Sequence, residues 1–341
     1  MIRLRTELDS EVVGMKRFKN VVCVIERGDA SKLALERAVA LAQNNQASLT
    51  VVGVLPRLTA GIGMPDGGPI TLELQDIMTR ENQTRLEALI EPYHERIDIK
   101  YRVLLGPSFL EIIREILREG HDLLIKCPES PAWLERLFAG DDMHLLRKCP
   151  CPVWFIKPQP SGAYQRILAA VDVNDAYPQE ELKTRQALNK KIMEIAASLS
   201  ISEFAELHVV AAWEAVGESV LRSSAFAQQP KDQVDAYVDE VQGHYAQLFD
   251  DLMRQTAEKL GSEAMGYLKP KLHMLKGSAR KEVPELADRL RVDCIVMGTV
   301  GRTGVRGFFM GNTAETILEQ LDCSVLAIKP PGFITPVGLD D

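Results

Sequence analysis

Short apolar runs rich in β-branched residues alternate along the chain with longer stretches in which apolar positions recur every three or four residues. The runs fall at 21–25, 49–54, 99–104, 123–125 and 153–156, and again at 167–171, 207–211, 272–275, 294–297 and 325–328. Each is too short for a helix and reads as a strand. The second five repeat the order and spacing of the first five, which marks an internal duplication about one domain long. Helices are predicted at 32–43 and 183–198 after each first strand and at 72–94 and 233–260 after each second strand, with shorter ones after the third and fourth. Strands separated by helices pair in parallel through right-handed crossovers. The pattern therefore predicts an α/β chain of two tandem doubly wound domains, each a five-stranded parallel sheet of order 3-2-1-4-5 with helices on both faces.

Between the repeats, the stretch KPQPSG at 157–162 has no apolar periodicity and is rich in Pro and Gly. The expected layout is an N-terminal extension at 1–16, a first domain at 17–158, a linker at 159–164, a second domain at 165–330 and an acidic tail at 331–341. A length of 341 residues is itself more than one core usually organises.

Composition narrows the function class. With 46% hydrophobic and 26% charged residues the chain reads as globular, and a net charge of −8 offers no long-range attraction to nucleic acid. No apolar run approaches the length of a membrane span, and the first residues lack an apolar signal core, so the sequence points to the cytoplasm. Six cysteines lie beside or inside apolar runs and read as buried free thiols; Cys149 and Cys151 are the one close pair. The histidines show no metal-ligand spacing, and no nucleophile motif is present, so neither a catalytic residue nor a metal site is expected.

The most informative stretch is MGTVGRTGVRGFFMGNTAE at 297–315, which follows the fourth strand of the second repeat and opens its last helix. Gly298, Gly301 and Gly311 form G-x2-G-x9-G, where the missing Cβ atoms let backbone N–H groups approach phosphate oxygens. Arg302 adds positive charge, and each charge-assisted hydrogen bond to phosphate contributes about 1.5–3 kcal/mol. Asn312 and Thr313 stand at the helix opening, where they either face an anion or cap the helix. A Gly-rich surface turn would look similar, but ligands of doubly wound sheets bind beyond the carboxyl ends of the strands at the switch point, where this loop falls.

This loop resembles the signature of the universal stress protein family, G-x2-G-x9-G followed by Ser or Thr. With the tandem layout and the HLLRKCPCPVW run at 144–154, the chain is similar to the tandem two-domain type of that family over nearly all its length after Met15. In ATP-binding members an Asp ending the first strand contacts the adenosine, a residue ending the second gives backbone contacts, and the loop holds the phosphates. The resemblance carries these roles to Asp172, to Ala212, and to Gly298, Gly301 and Gly311. Asn312 departs from the family's Ser or Thr, with Thr313 one step later. Asp172 also fits an Asp turn between strand and helix. Single-domain members pair through their fifth strands, so the resemblance implies that 153–156 and 325–328 lie close within this one chain.

The equivalent stretch of the first repeat, KCPESP at 126–131, has no glycine and two prolines, and Asp141 and Asp142 place carboxylates where an anion would sit. Glu26 stands where Asp172 does in the second repeat. The first repeat is thus expected to be a structural partner or to hold a different ligand. Three functions fit. One is a stress-response protein that binds ATP or another adenine nucleotide, with Mg2+ and no covalent cofactor, in the second domain and acts through protein partners; it is not an enzyme, although slow ATP hydrolysis is compatible with it. Another is a carrier of a lipid-like or other small ligand held by the apolar faces of 72–94 and 233–260. The last is a ligand-free interaction protein, and homodimerisation is compatible with each.

Overall fold

The computed structural model describes residues 18–26, 28, 30–58, 69–128, 140–158, 163–223, 230–299 and 310–339. Its strands are β1 (Asn20–Val24), β2 (Ser48–Leu55), β3 (Ile99–Leu105), β4 (Leu123–Lys126), β5 (Val153–Phe155), β6 (Arg166–Ala170), β7 (Glu206–Trp213), β8 (Lys271–Lys276), β9 (Cys294–Gly298) and β10 (Ser324–Ile328). Every expected strand is found, with ends shifted by no more than two residues. The helices are α1 (Ala30–Asn45), α2 (Pro69–Ile90), α3 (Ser108–Glu119), α4 (Asp141–Lys148), α5 (Gln179–Glu203), α6 (Glu218–Ser223), α7 (Lys231–Leu260), α8 (Ser262–Leu268), α9 (Ala279–Leu290) and α10 (Asn312–Leu318). The short α6 and α8 were not foreseen, because six or seven residues carry too little periodicity to register. Among the described residues, no helix is long and apolar enough to cross a membrane.

The chain divides into two compact units. One holds residues 17–162 with 304–310 and 323–341, and in it the strand order is β3-β2-β1-β4-β5, all parallel. This is the 3-2-1-4-5 order, in which β1 to β2 to β3 runs one way and the return to β4 and β5 runs the other. Right-handed crossovers then place α1 and α2 on one face and α3 and α4 on the opposite face. Central strands are covered on both sides and must be apolar throughout: Val21, Val22, Cys23, Leu124, Ile125, Val153 and Phe155 are all without exposed surface. The same unit contains β10, which lies antiparallel to β5 with Leu326 opposite Trp154. The segments 153–156 and 325–328 are therefore neighbours, as the family resemblance implied.

The other unit holds residues 163–303 and 311–322, with the parallel order β8-β7-β6-β9. Its core is the fully buried run Ile167, Leu168 and Ala169 of β6 with Ile295 and Val296 of β9. β8 is only partly buried and begins and ends in lysine, as an edge strand does. α7 opens after Pro230 and stops at Gly261, whose φ of 84° only glycine adopts without strain.

Candidate functional site

The switch point of the second unit lies between β6 and β9, where the chain moves from one side of the first strand to the other. Register fixes what collects there. Ala170 stands opposite both Val210 of β7 and Met297 of β9, so two residues further on Asp172, Ala212 and Thr299 reach the same level at one sheet edge. Ala212 is still within β7, opposite Leu275. Gly298 ends β9, and a Cβ there would sit 2.6 Å from Cδ2 of Leu188 on α5. Its missing side chain thus lets α5 approach the strand end.

Thr299 is fully buried, and its carbonyl accepts the Gly311 N–H at 3.0 Å, which ties the start of α10 to the end of β9. Gly311 takes an extended conformation as the N-cap. Asn312 and Thr313 are both exposed at the first positions of α10, and Thr313 Oγ1 accepts a long 3.4 Å hydrogen bond from Arg280 Nε. α10 has only seven residues, so what it offers is these two side chains rather than a strong dipole. Gly301 and Arg302 lie outside the described residues.

Asp172 is already engaged. Arg185 Nη1 donates to its Oδ2 at 2.6 Å, the Tyr177 hydroxyl donates to the same oxygen at 3.1 Å, and the Asn174 N–H donates to Oδ1 at 3.2 Å. Asn189 holds the Asp172 backbone from both sides, accepting from its N–H and donating to its carbonyl. Arg185 also binds Glu181 on its own helix and stacks 3.7 Å above the Tyr177 ring centroid. The Asp turn expected from the sequence is therefore formed, and the carboxylate that the resemblance assigns to adenosine is held by an arginine while keeping 43% of its surface. Burial and the Asp172 charge push the Tyr177 hydroxyl up to about 12, which keeps it a neutral donor. The i,i+4 spacing of Glu181 and Arg185 was visible in the sequence, but the reach of Arg185 to Asp172 was not.

α7 completes the surroundings. His244 Nε2 lies 3.0 Å from both oxygens of Asp175, and Trp213 packs with Ala215 and Val238 against Tyr237, Val241 and Tyr245. The N-terminal half of this long helix thus packs its apolar side chains against Trp213. Elsewhere a depression of about 320 Å³ between α5 and α7 is lined by Lys190, Glu194, Gln255 and Lys259.

In the first unit the same place is filled from within. Val24 stands opposite Lys126 as Ala170 stands opposite Met297, so Lys126 replaces a methionine and Glu26 replaces Asp172. The Lys126 ammonium lies 2.6 Å from Glu26 and also bonds Asp142 of α4, with the lysine side chain only 3% exposed. Burial pulls this ammonium's pKa down, but the two carboxylates outweigh it and hold it above its ordinary value. Asp142, whose charge was read from sequence as opposing an anion, is thus the partner of an internal cation.

Comparison with known proteins agrees with the fold. The universal stress protein family model matches residues 17–157 and again 163–329, and the chain belongs to that family as a tandem, two-domain member. It is 30% identical over 338 residues to universal stress protein E of Escherichia coli K12, covering 96% of this chain and 99% of that protein. A universal stress protein E homolog of Haemophilus influenzae is 24% identical over 330 residues, covering 92% of this chain and 98% of that one. Among solved structures, a functionally unknown protein of Pseudomonas aeruginosa PAO1 superposes with a TM-score of 0.62 at 25% identity, covering 95% of each chain. A universal stress protein of Archaeoglobus fulgidus shares the fold, with a TM-score of 0.59 at 14% identity over 92% of this chain and 97% of that one.

Proposed function

We propose that the second repeat, residues 165–330, binds ATP or a related adenine nucleotide, and that occupancy alters the contacts this cytoplasmic chain makes with protein partners. The observation that carries the reading is the register of β6, β7 and β9, which brings Asp172, Ala212 and Thr299 to one level beside the switch point, with Gly298 one residue before. Asp172 and the backbone near Ala212 face the nucleoside, and Gly298, Gly301, Arg302 and Gly311, with the Asn312 amide and the Thr313 hydroxyl, face the phosphates and their Mg2+. The carboxylate of Asp172 keeps acceptor capacity beyond its three present donors. The first repeat, with its crevice filled by Lys126, is a structural partner. The reading is of a binding protein, because the loop sequence itself supplies no evident general base.

Equilibrium binding of ATP, ADP and AMP, with and without Mg2+, tests it on the full chain. Micromolar binding to the wild type, lost in Gly301→Trp and weakened in Asp172→Asn, is the expected result. A folded wild type that binds none of the three would sink the reading and leave a ligand-free interaction protein.

A further inference from the structure

The unit holding residues 17–162 contains a cluster that packing does not explain. Cys149 caps the C-terminus of α4, its N–H donating to Leu145 O, and Cys151 follows two residues later, after Pro150 and just ahead of β5. Their sulfurs lie 3.5 Å apart. Lys329, the residue after β10, reaches into the same interior with only 1% of its surface exposed, and its ammonium donates to the carbonyl of Leu146 in the last turn of α4. A cation at that position suits the negative end of the helix and also faces the two thiols.

We propose that Cys149 and Cys151 are a reversible peroxide-sensitive dithiol, closing to an intrachain disulfide beside Lys329. The chemistry balances without any metal or cofactor. The Cys149 sulfur attacks hydrogen peroxide, so an S–O bond forms, the O–O bond breaks, and the departing hydroxide takes the proton lost by Cys149 and leaves as water. The Cys151 sulfur then displaces the second hydroxyl from Cys149, forming the S–S bond, and that hydroxyl leaves as water with the Cys151 proton. Two thiols are oxidised by two electrons and one peroxide is reduced to two waters. The sulfurs need to close by only about 1.5 Å to reach bonding distance.

The surroundings divide the two roles. Burial pushes the Cys149 thiol up, but the hydrogen bonds from Cys151 and the Lys329 charge outweigh it and hold Cys149 below its ordinary value. Burial, the Cys149 hydrogen bond and the Cys149 and Asp122 charges push Cys151 well up, so it stays the protonated partner. Burial pulls Lys329 down to about 8, against the raising effect of the two thiols, which lets it share a proton with them near neutrality. Cys149 has no exposed surface and Cys151 keeps 6%, so oxidant reaches the pair from the Cys151 side as the fold breathes. Two of the other cysteines contrast with this, since Cys127 and Cys294 direct their sulfurs to backbone carbonyls of Pro128 and Ile295.

The experiment treats the reduced full chain with hydrogen peroxide and counts thiols in denaturant. The expected result is a fall from six thiols to four, a loss of two hydrogens in intact mass, and full recovery with dithiothreitol. Both hydrogens should be missing from the tryptic peptide that begins at Cys149. Cys149→Ser and Cys151→Ser should each abolish the step, and Lys329→Met should slow it about tenfold, because losing the neighbouring cation lowers the thiolate fraction. Six thiols after peroxide, losses that map to Cys23, Cys127, Cys294 or Cys323, or a disulfide between two chains would each overturn the proposal. Mapping on the wild type decides it even where a variant folds poorly.

Discussion

Replacing Lys126 by methionine, the residue at the matching place in the second repeat, removes the cation from between Glu26 and Asp142. Lys126 is 3% exposed, while the Glu26 and Asp142 side chains keep 24% and 12% of their surface. Removing one partner of a buried pair costs about 3–5 kcal/mol, because the remaining charge is left in a poor solvent. The partial exposure of both carboxylates places Lys126→Met near the lower end, at about 3 kcal/mol. With a urea dependence of about 2 kcal/mol per molar, the midpoint of the first unit should fall by about 1.5 M. Urea unfolding followed by tryptophan fluorescence and circular dichroism together measures this, since agreement of the two probes tests for a single transition. Adding Glu26→Gln and Asp142→Asn should recover most of the loss, because the penalty lies in the stranded charges rather than in the lost pair. A midpoint within experimental error of wild type for the single variant would refute the reasoning. A triple variant no more stable than the single one would refute it equally.

Other consequences follow from the same structure. Arg185→Met should lower stability by about 1 kcal/mol in thermal or urea unfolding, since Asp172 is half-exposed and solvent screens part of the bond. Gly298→Ala should cost about 1 kcal/mol in the same assay, because the end of Leu188 that meets the new Cβ can swing aside, and it should weaken nucleotide binding more than it weakens the fold. Leu326→Ala in β10, at 1% exposure, should cost about 2–5 kcal/mol. His208 and His273 share a 2.9 Å hydrogen bond, and burial holds both below the ordinary histidine value of 6.5. The unfolded chain therefore binds protons that the folded chain refuses below pH 6.5, so stability should fall as pH drops through that value and stay flat above it. The slope reaches about 1.4 kcal/mol per pH unit for each histidine kept neutral. Thermal unfolding across that range measures it, and a His208→Gln chain with an unchanged slope would contradict the assignment.

The strands were legible because a doubly wound sheet is covered on both faces, so runs such as NVVCV and CIVMG must be apolar almost throughout. Duplication made the reading stronger, since each weak strand in one repeat had a counterpart in the other. The glycine positions were legible for a similar reason: their place after β9 is set by sequence order alone. What the sequence hid was charge pairing at long range. Lys126 read as the first residue of the loop after a strand and Asp142 as a helix-start acid, and nothing local says that they meet 16 residues apart. Asp172 was identified as a site position, but its engagement by Arg185 depends on where α5 crosses the sheet edge. The thiols of Cys149 and Cys151 read as packing until Lys329, 178 residues beyond Cys151, was found to bring its ammonium to the same place.

Taken with the nucleotide binding proposed above, the internal lysine of the first repeat also sets an expected valency. Duplicated binding folds usually invite the expectation of two equivalents of ligand and of communication between like sites. Here one crevice carries its own counter-ion as part of the polypeptide, so a titration of the chain with nucleotide should saturate at a single equivalent along a hyperbola, with a Hill coefficient of about 1. On the proposed reading, duplication doubles the scaffold without doubling the response.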